Sequence, residues 1–225
     1  MGLVRWLQDA GWPPDKLSIQ KANARYVIPQ YPHPDYVLPQ AEQEAKFLEK
    51  KFAATAVEPS SGAVRELISK PDSFGLLHFA CHGAADQDNI ANAQLILQGR
   101  VNGQDYIPDF LSATTVEQNA NLSEGGNAPL IVLNACQTGR AGYKLTGIGG
   151  FAQAFLKRKA GAFVGTLWSV GDVPARTFTE EFYTQLIKGS TIAEATIKAR
   201  EKAQKAGDAT WLAYVVYGHP HARIK

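Results

Sequence analysis

The fold of this chain is constrained most by two short apolar runs. Each run ends on a chemically reactive residue close to a glycine. The first run is Leu76–His82, followed by Gly83, and the second is Leu130–Cys136, followed by a polar turn. Apolar runs of this length are typical of buried strands, and the helical patterns around them indicate an α/β fold with a mainly parallel sheet. Sites in such folds form where the strands end, so we expect His82 and Cys136 at that edge.

The two residue types at these strand ends are the components of nucleophilic catalysis by a thiol. A cysteine becomes a good nucleophile when a nearby histidine accepts its proton. We predict Cys136 as the nucleophile and His82 as its acid–base partner. From the residues alone, a buried, unreactive cysteine and a core histidine remain open as alternatives. His78 lies deeper in the same apolar run, so a structural role is predicted for it. Side chains alternate along a strand, which places Cys81 on the face opposite His82 and predicts a core residue.

Hydrophobic periodicity predicts the remaining elements. Helices are expected at residues 3–10, 40–52, 61–70, 147–158 and 173–188, with a further helix that begins at the Thr191–Glu194 capping box. The apolar face of the helix at 40–52 is predicted as Ala41, Ala45, Leu48 and Phe52. Strands are expected at 25–28, 75–81, 94–97, 129–135, 161–168 and 211–217. Residues 98–128 show no clear period, which predicts a long loop or insertion beside the site.

A proline-rich stretch at residues 29–39 predicts the main boundary in the chain. Four prolines in this stretch favour a stiff, extended linker. We therefore expect residues 1–37 to form an N-terminal extension or the remnant of a preceding region. Residues 38–225 are expected to form one domain with a single core.

Composition excludes several classes of protein. The chain has 225 residues, of which 45% are hydrophobic and 20% are charged, and its net charge is +2. These values predict an ordinary soluble globular domain without a nucleic-acid-binding surface. No apolar stretch reaches membrane-spanning length, so no membrane partner is expected. The two cysteines do not form a disulfide framework, and a reducing, cytoplasmic location is expected.

Four segments together resemble one known family. They are Ala80–Gly83, Asn134–Gly139, Leu167–Asp172 and Trp211–Gly218. In this order and with these gaps they resemble the CHAT domain, a caspase-like peptidase domain related to separases, gingipains and caspases. The resemblance covers roughly Leu38–Pro220. It implies a caspase-like three-layer sandwich, with a mainly parallel central sheet and helices on both faces.

The resemblance also implies a cysteine endopeptidase and assigns roles to particular residues. Cys136 attacks the peptide carbonyl, and His82 protonates the leaving amine. The backbone N–H groups of Gly83 and Cys136 stabilise the oxyanion. Asp172 selects Arg or Lys before the cut bond, and Trp168 forms a wall of the same pocket. This chemistry needs no metal and no organic cofactor.

Local sequence leaves other interpretations open for several of these residues. Asp172 precedes Val173-Pro174 and is well placed to be a helix N-cap. Gly83 also fits an ordinary turn, and Trp168 fits the core. Arg140 and Lys144 follow the nucleophile closely, so self-cleavage near either residue is open.

Two alternative functions also remain open at this point. The first is a metal site built from His78, Cys81, His82 and Cys136, since zinc takes such ligands. The second is a CHAT interaction module that lacks catalysis. The expected partners are a protein or peptide substrate and a regulatory domain or partner protein. The substrate's identity, the activating signal, the oligomeric state and whether the chain is an excised domain are not predicted.

Overall fold

The chain folds into a sheet enclosed by two layers of helices. The computed structural model describes residues 4–6, 10–84, 93–103, 105–136, 148–167, 170–207 and 209–225. For Cys136, Ile148 and Gly149 it describes the backbone alone. Within these residues a nine-stranded central sheet is accompanied by a separate pair of short strands.

The strands and helices alternate along most of the chain. The strands are β1 (Val4–Arg5), β2 (Lys16–Leu17), β3 (Ala24–Val27), β4 (Thr55–Ala56), β5 (Leu76–Ala84), β6 (Gln94–Asn102), β7 (Asp105–Ser112), β8 (Leu130–Cys136), β9 (Ala162–Thr166), β10 (Tyr214–Tyr217) and β11 (Arg223–Ile224). The helices are α1 (Pro39–Phe52), α2 (Ser61–Ser69), α3 (Ala113–Asn119), α4 (Ile148–Lys157), α5 (Asp172–Ile187), α6 (Ile192–Lys205) and α7 (Thr210–Ala213). A 3₁₀ turn at Pro34–Tyr36 precedes α1.

The sheet is mainly parallel, as predicted. Its main strand order is β1-β10-β9-β8-β5-β3-β4, and the antiparallel hairpin β6–β7 is added beside the carboxyl end of β5. Strand β8 pairs with β5 on one side and with β9 on the other, in both cases parallel. The carboxyl ends of the two strands that carry the predicted site residues therefore meet at one edge.

Each face of the sheet has its own apolar core. Residues of α1, α5 and α6 cover one face, where Leu48, Phe182 and Ala199 are among the buried contacts. Residues of α2, α3 and α4 cover the other, with Ile68 and Phe155 among them. These two layers confirm the predicted three-layer α/β sandwich. No helix among the described residues is long and apolar enough to cross a bilayer.

Local capping signals begin two helices where they were predicted. The Ser60 side chain accepts a hydrogen bond from Ala63 N–H at the start of α2. At the start of α6, the Thr191 side chain and the Glu194 side chain each bond the other's backbone N–H in a full capping box. Both signals act within one turn of chain, which is why the sequence alone predicts them.

The predicted long loop at residues 98–128 is wrong over residues 98–119, while residues 120–128 form no helix or strand. Strand β6 extends to Asn102, β7 pairs back along it, and α3 follows directly. A bulge breaks the register between Leu97 and Arg100, which hides the alternation of side chains. The Asn102-Gly103 pair is a strong hairpin signal, and Gly103 adopts a φ of +63° at the turn.

The predicted strand at 211–217 is correct in its second half only. Residues Thr210–Ala213 form α7, and the strand β10 begins at Tyr214. A short apolar run does not distinguish a strand from a buried helical turn. The predicted helix at 3–10 is contradicted at Val4–Arg5, which pair with β10, while residues 7–9 lie outside the described residues.

Strands from both sides of the proline-rich stretch belong to the central sheet. Strand β3 precedes the stretch and pairs in parallel with β5, which follows it. The division between residues 1–37 and 38–225 remains a prediction. The stretch itself packs against the sheet edge, because the hydroxyl of buried Tyr31 donates to the Ile96 carbonyl at 2.6 Å.

Candidate catalytic site

The register of the two central strands brings His82 and Cys136 side by side. Strands β5 and β8 run in parallel from the Leu76–Leu130 pair to the His82–Cys136 pair. Hydrogen-bonded strands lie about 4.8 Å apart, so the two backbones are neighbours at the carboxyl edge of the sheet. The side chain of Cys136 lies outside the described residues.

His82 is held by the segment that precedes α1. Its side chain is 2% exposed, and its Nε2 lies 2.8 Å from the Tyr36 carbonyl oxygen. A carbonyl only accepts hydrogen bonds, so Nε2 carries the proton and donates it. In the neutral ring Nδ1 is then the accepting nitrogen. The backbone N–H of His82 also donates to the Tyr31 hydroxyl at 2.9 Å.

A buried polar cluster lies beneath this pair, centred on the Glu44 carboxylate of α1. Glu44 accepts hydrogen bonds from Asn134 Nδ2 at 2.7 Å and from Thr179 Oγ1 at 3.2 Å. His78 Nε2 lies 2.9 Å from Glu44 Oε2, without the alignment of a good hydrogen bond. Because Asn134 precedes Cys136 by two residues on β8, the cluster ties α1 to both central strands.

Two tyrosines complete this buried cluster. The Tyr183 hydroxyl lies 2.9 Å from His78 Nδ1, and the Tyr214 hydroxyl donates to Asn134 Oδ1 at 2.7 Å. Burial, reinforced by the charge of Glu44, raises the pKa of Tyr183 well above its usual value, so the hydroxyl keeps its proton. His78 is fully buried here, in agreement with its predicted structural role.

Asp172 is the first residue of α5 rather than its N-cap. The N-cap is Gly171, and Asp172 Oδ2 instead accepts a hydrogen bond from the Gln40 N–H at 3.1 Å. The carboxylate therefore satisfies a backbone donor in the first turn of another helix, α1, whose own N-cap residue Leu38 makes no side-chain bond. The N-terminal ends of the two helices meet at this carboxylate.

The environment of Asp172 shifts its acidity. Burial raises the pKa of the Asp172 carboxyl, and the nearby Glu44 charge acts in the same direction. The Gln40 hydrogen bond and the charges of His82 and Arg176 oppose this rise. Asp172 thus lies within electrostatic reach of His82, although the structure does not test its predicted contact with substrate.

Gly83 is not required by its own surroundings. A Cβ built at this position would lie 3.5 Å from Ala135 Cβ and 3.8 Å from the Gln94 carbonyl oxygen, both ordinary contacts. Its φ also lies outside the left-handed region. Neither backbone conformation nor packing therefore explains a glycine next to His82.

The other residues named from the sequence are Cys81, the candidate metal ligands, Trp168, Arg140 and Lys144. Cys81 is fully buried in the core on the α2–α4 side of the sheet, as strand alternation predicted. The described residues contain no group of three or more His, Cys, Asp and Glu side chains arranged to hold a metal ion. Trp168, Arg140 and Lys144 lie outside the described residues.

Sequence reasoning missed several residues of the site. The buried face of α1 contains Glu44 and not Ala45. The sequence signal for this was that Glu44 lies one helical turn before the buried Leu48. Asn134 is the single polar residue between Leu130 and Ala135 on an otherwise apolar strand. Tyr36 acts through its backbone carbonyl, which carries no sequence signal.

Comparisons with known proteins agree with this architecture. The family model of the CHAT domain matches residues 26–219. Among curated proteins none matches this chain. Similar solved structures include the Saccharomyces cerevisiae separase–securin complex, with 15% identity and a TM-score of 0.57 over 94% of this chain and 13% of that chain. The Arg-specific cysteine proteinase gingipain R has 12% identity and a TM-score of 0.58 over 94% of this chain and 50% of that chain.

A third similar structure is the complex of Porphyromonas gingivalis RgpB pro- and mature domains. It has 13% identity and a TM-score of 0.53 over 94% of this chain and 51% of that chain. This chain therefore spans between 13% and 51% of the length of these proteins. At such identities the likeness shows a shared caspase-like fold. Because the family match extends over most of the sequence, the chain belongs to the CHAT domain family.

Proposed function

We propose that this chain is a cysteine endopeptidase that cleaves protein substrates after Arg or Lys. The observation that carries the proposal is the parallel register of His82 with Cys136 at the carboxyl edge of the sheet. The bond from His82 Nε2 to the Tyr36 carbonyl supports it, since it leaves Nδ1 as the basic nitrogen of the ring. The likeness to the fold of known cysteine proteases is consistent with this chemistry.

The proposed reaction is a two-step acyl transfer. The Cys136 thiolate attacks the peptide carbonyl carbon, and the bond to the leaving nitrogen breaks after His82 has protonated that nitrogen. The resulting thioester is hydrolysed by a water that His82 deprotonates, which regenerates the thiol. The Tyr36 carbonyl stabilises the imidazolium that forms between these steps, because it accepts the Nε2 proton.

The backbone N–H groups of Gly83 and Cys136 are proposed to bind the oxyanion. Preorganised donors of this kind contribute most when they point at the atom on which charge develops. A glycine at position 83 allows the substrate carbonyl to approach the backbone closely.

The substitution Gly83→Ala is expected to preserve stability and reduce activity. Among the described residues the added Cβ meets only ordinary contacts, so the free energy of unfolding should change by less than about 1 kcal/mol. Loss of close approach should lower kcat by about 10²-fold. Urea denaturation and peptide cleavage measured on one preparation check both expectations. If the variant is stable and its kcat equals that of the wild type, Gly83 has no role in binding the oxyanion.

Asp172 is proposed to select a cationic side chain before the cut bond. A half-buried carboxylate beside the catalytic pair attracts a guanidinium or ammonium group and repels aspartate. One similar structure is described as an Arg-specific proteinase, which supports this choice.

The substitution Asp172→Asn is expected to remove most of the preference for Arg. The preference is the ratio of kcat/KM for fluorogenic peptides ending in Arg and in Leu, and it should fall by about 10²-fold because the buried cation loses its charged partner. Lys and Asp peptides complete the panel. Cleavage of Arg peptides should also weaken as pH falls through the raised pKa of Asp172, at a higher pH than for an ordinary aspartate. An unchanged ratio would leave Asp172 with its structural role at the start of α1.

Control by a fused domain or a partner protein is part of the proposal. This chain spans 13% of the yeast separase chain, which was solved bound to securin. Limited proteolysis and activity of the chain alone, compared with a longer natural chain, would test whether additional sequence restrains it.

A further inference from the structure

A row of apolar and aromatic side chains extends from His82 across the edge of the sheet. His82 pairs with Ile96 on β6, and Ile96 pairs with Phe110 on β7, so the three residues share one face. The Tyr36 ring lies 5.5 Å from the His82 ring, and the Tyr106 ring lies 5.3 Å from that of Tyr36. Phe110 is 42% exposed, so part of its ring is open to solvent beside this row.

Among the described residues, two polar side chains near this row bond groups away from it. The Tyr106 hydroxyl donates to the Leu97 carbonyl at 3.2 Å, which leaves the ring to form the surface. The Asp109 carboxylate, adjacent to Phe110 in sequence, accepts a hydrogen bond from the Ser61 N–H at 2.6 Å at the start of α2. The surface formed by Tyr36, Ile96, Tyr106 and Phe110, here called the aromatic shelf, is therefore mainly apolar.

The proposed reaction gives this shelf a direction relative to the substrate. Asp172 follows β9, which lies on the side of β8 away from β5, whereas the shelf lies beyond β5 on the opposite side. If the residue before the cut bond is bound by Asp172, the chain after the cut bond leaves across His82. The leaving amine must lie against His82, which protonates it.

The dimensions match three substrate residues. Two strand spacings separate Phe110 from His82, or about 10 Å, and an extended peptide advances about 3.3 Å per residue. The peptide backbone would then cross Tyr36 and Tyr106, and the side chain of the third residue after the cut bond would lie against Phe110.

We propose that the aromatic shelf binds the chain after the cut bond and selects an aromatic or aliphatic side chain at the third residue. This inference rests on the proposed peptidase function and adds a second determinant of its substrate. The full recognition sequence is then a basic residue, the cut bond, two residues of any kind, and an apolar residue.

Internally quenched peptides with a single Arg test the proposal. They carry Phe, Gly or Asp at the third position after Arg, and an Arg–aminocoumarin amide, which has no residue after the cut bond, serves as a reference. We expect kcat/KM to be about tenfold higher for Phe than for Gly, since partial burial of an aromatic ring supplies that difference. Phe110→Ala should bring the Phe/Gly ratio close to one. The matched control is Ile187→Ala, an equally exposed apolar residue at the end of α5, which should keep the wild-type ratio.

A binding measurement separates this inference from the proposed function. Fluorescence polarisation gives the Kd of labelled Phe and Gly peptides for Cys136→Ala, with and without Phe110→Ala. Cleavage of the coumarin amide with equal rates for Phe and Gly peptides would overturn the shelf and leave the peptidase intact. A second outcome is that no substrate is cleaved, but the Phe peptide binds more tightly than the Gly peptide and Phe110→Ala abolishes this difference. That outcome would overturn the peptidase and support the shelf. Equal binding and no cleavage would overturn both.

Discussion

Replacing Cys136 with alanine is expected to lower kcat/KM for an Arg peptide by about 10⁴- to 10⁶-fold, because no other group at this strand edge forms the thioester. His82→Ala should cause a loss of similar size, and combining the two should add little, since both residues serve one step. Both positions lie near the carboxyl ends of their strands. Circular dichroism should show the wild-type secondary structure in each variant, although His82→Ala should also cost some stability, because His82 is buried and bonds the Tyr36 carbonyl.

Cys81→Ala is the matched control for this prediction. Cys81 is fully buried on the opposite side of the sheet, so its removal should cost a modest amount of stability and leave most activity. A peptidyl-Arg probe with a thiol-reactive group should label the wild type and Cys81→Ala but not Cys136→Ala. Labelling at Cys81 alone would refute the assignment of the nucleophile. Absence of any labelling would favour a CHAT interaction module without catalysis.

Replacing Glu44 with leucine is expected to be strongly destabilising. Glu44 is 3% exposed and is contacted by Asn134, Thr179 and His78. Its loss leaves the buried Asn134 amide without this acceptor and removes the carboxylate beside the His78 ring, which should reduce the free energy of unfolding by about 3–5 kcal/mol. Urea denaturation at pH 7 measures the difference.

Two further variants make the Glu44 prediction specific. The double variant Glu44→Leu with His78→Leu should recover part of the lost stability, because it removes the imidazole that lost its partner together with the carboxylate. Lys46→Ala, an exposed change on the same helix, should shift stability by less than about 0.5 kcal/mol. A loss below about 1 kcal/mol for Glu44→Leu would show that the buried cluster is not a stabilising centre of the fold.

The buried cluster and the proposed catalytic pair are joined through one segment. The Tyr36 carbonyl holds His82, the Gln40 N–H binds Asp172, and Glu44 binds Asn134 two residues before Cys136. These three contacts come from the 3₁₀ turn and the first turns of α1, a stretch that begins inside the proline-rich region. The prolines predicted a linker, but this stretch forms part of the site.

The sequence by itself determined the features that depend on neighbours within a turn or along a strand. The start of α2 and the capping box of α6 follow from side chains three residues apart. The apolar runs of β5 and β8 predicted two buried strands whose ends carry His82 and Cys136. Hydrophobic periodicity between them predicted the layered α/β architecture.

Only the tertiary structure decided how these strand ends are completed. The bonds from His82 to Tyr36, from Asn134 to Glu44 and from Gln40 to Asp172 span 46, 90 and 132 residues. One of them uses a backbone carbonyl, which is the same in every residue type and leaves no trace in the sequence. The sequence predicted the start of β6 at residues 94–97, but it did not predict the rest of the hairpin β6–β7, because the bulge interrupts the alternation and part of the hairpin is exposed. Local propensity acts over a few residues, whereas the partners at this site are chosen by which strands and helices the folded sheet places together.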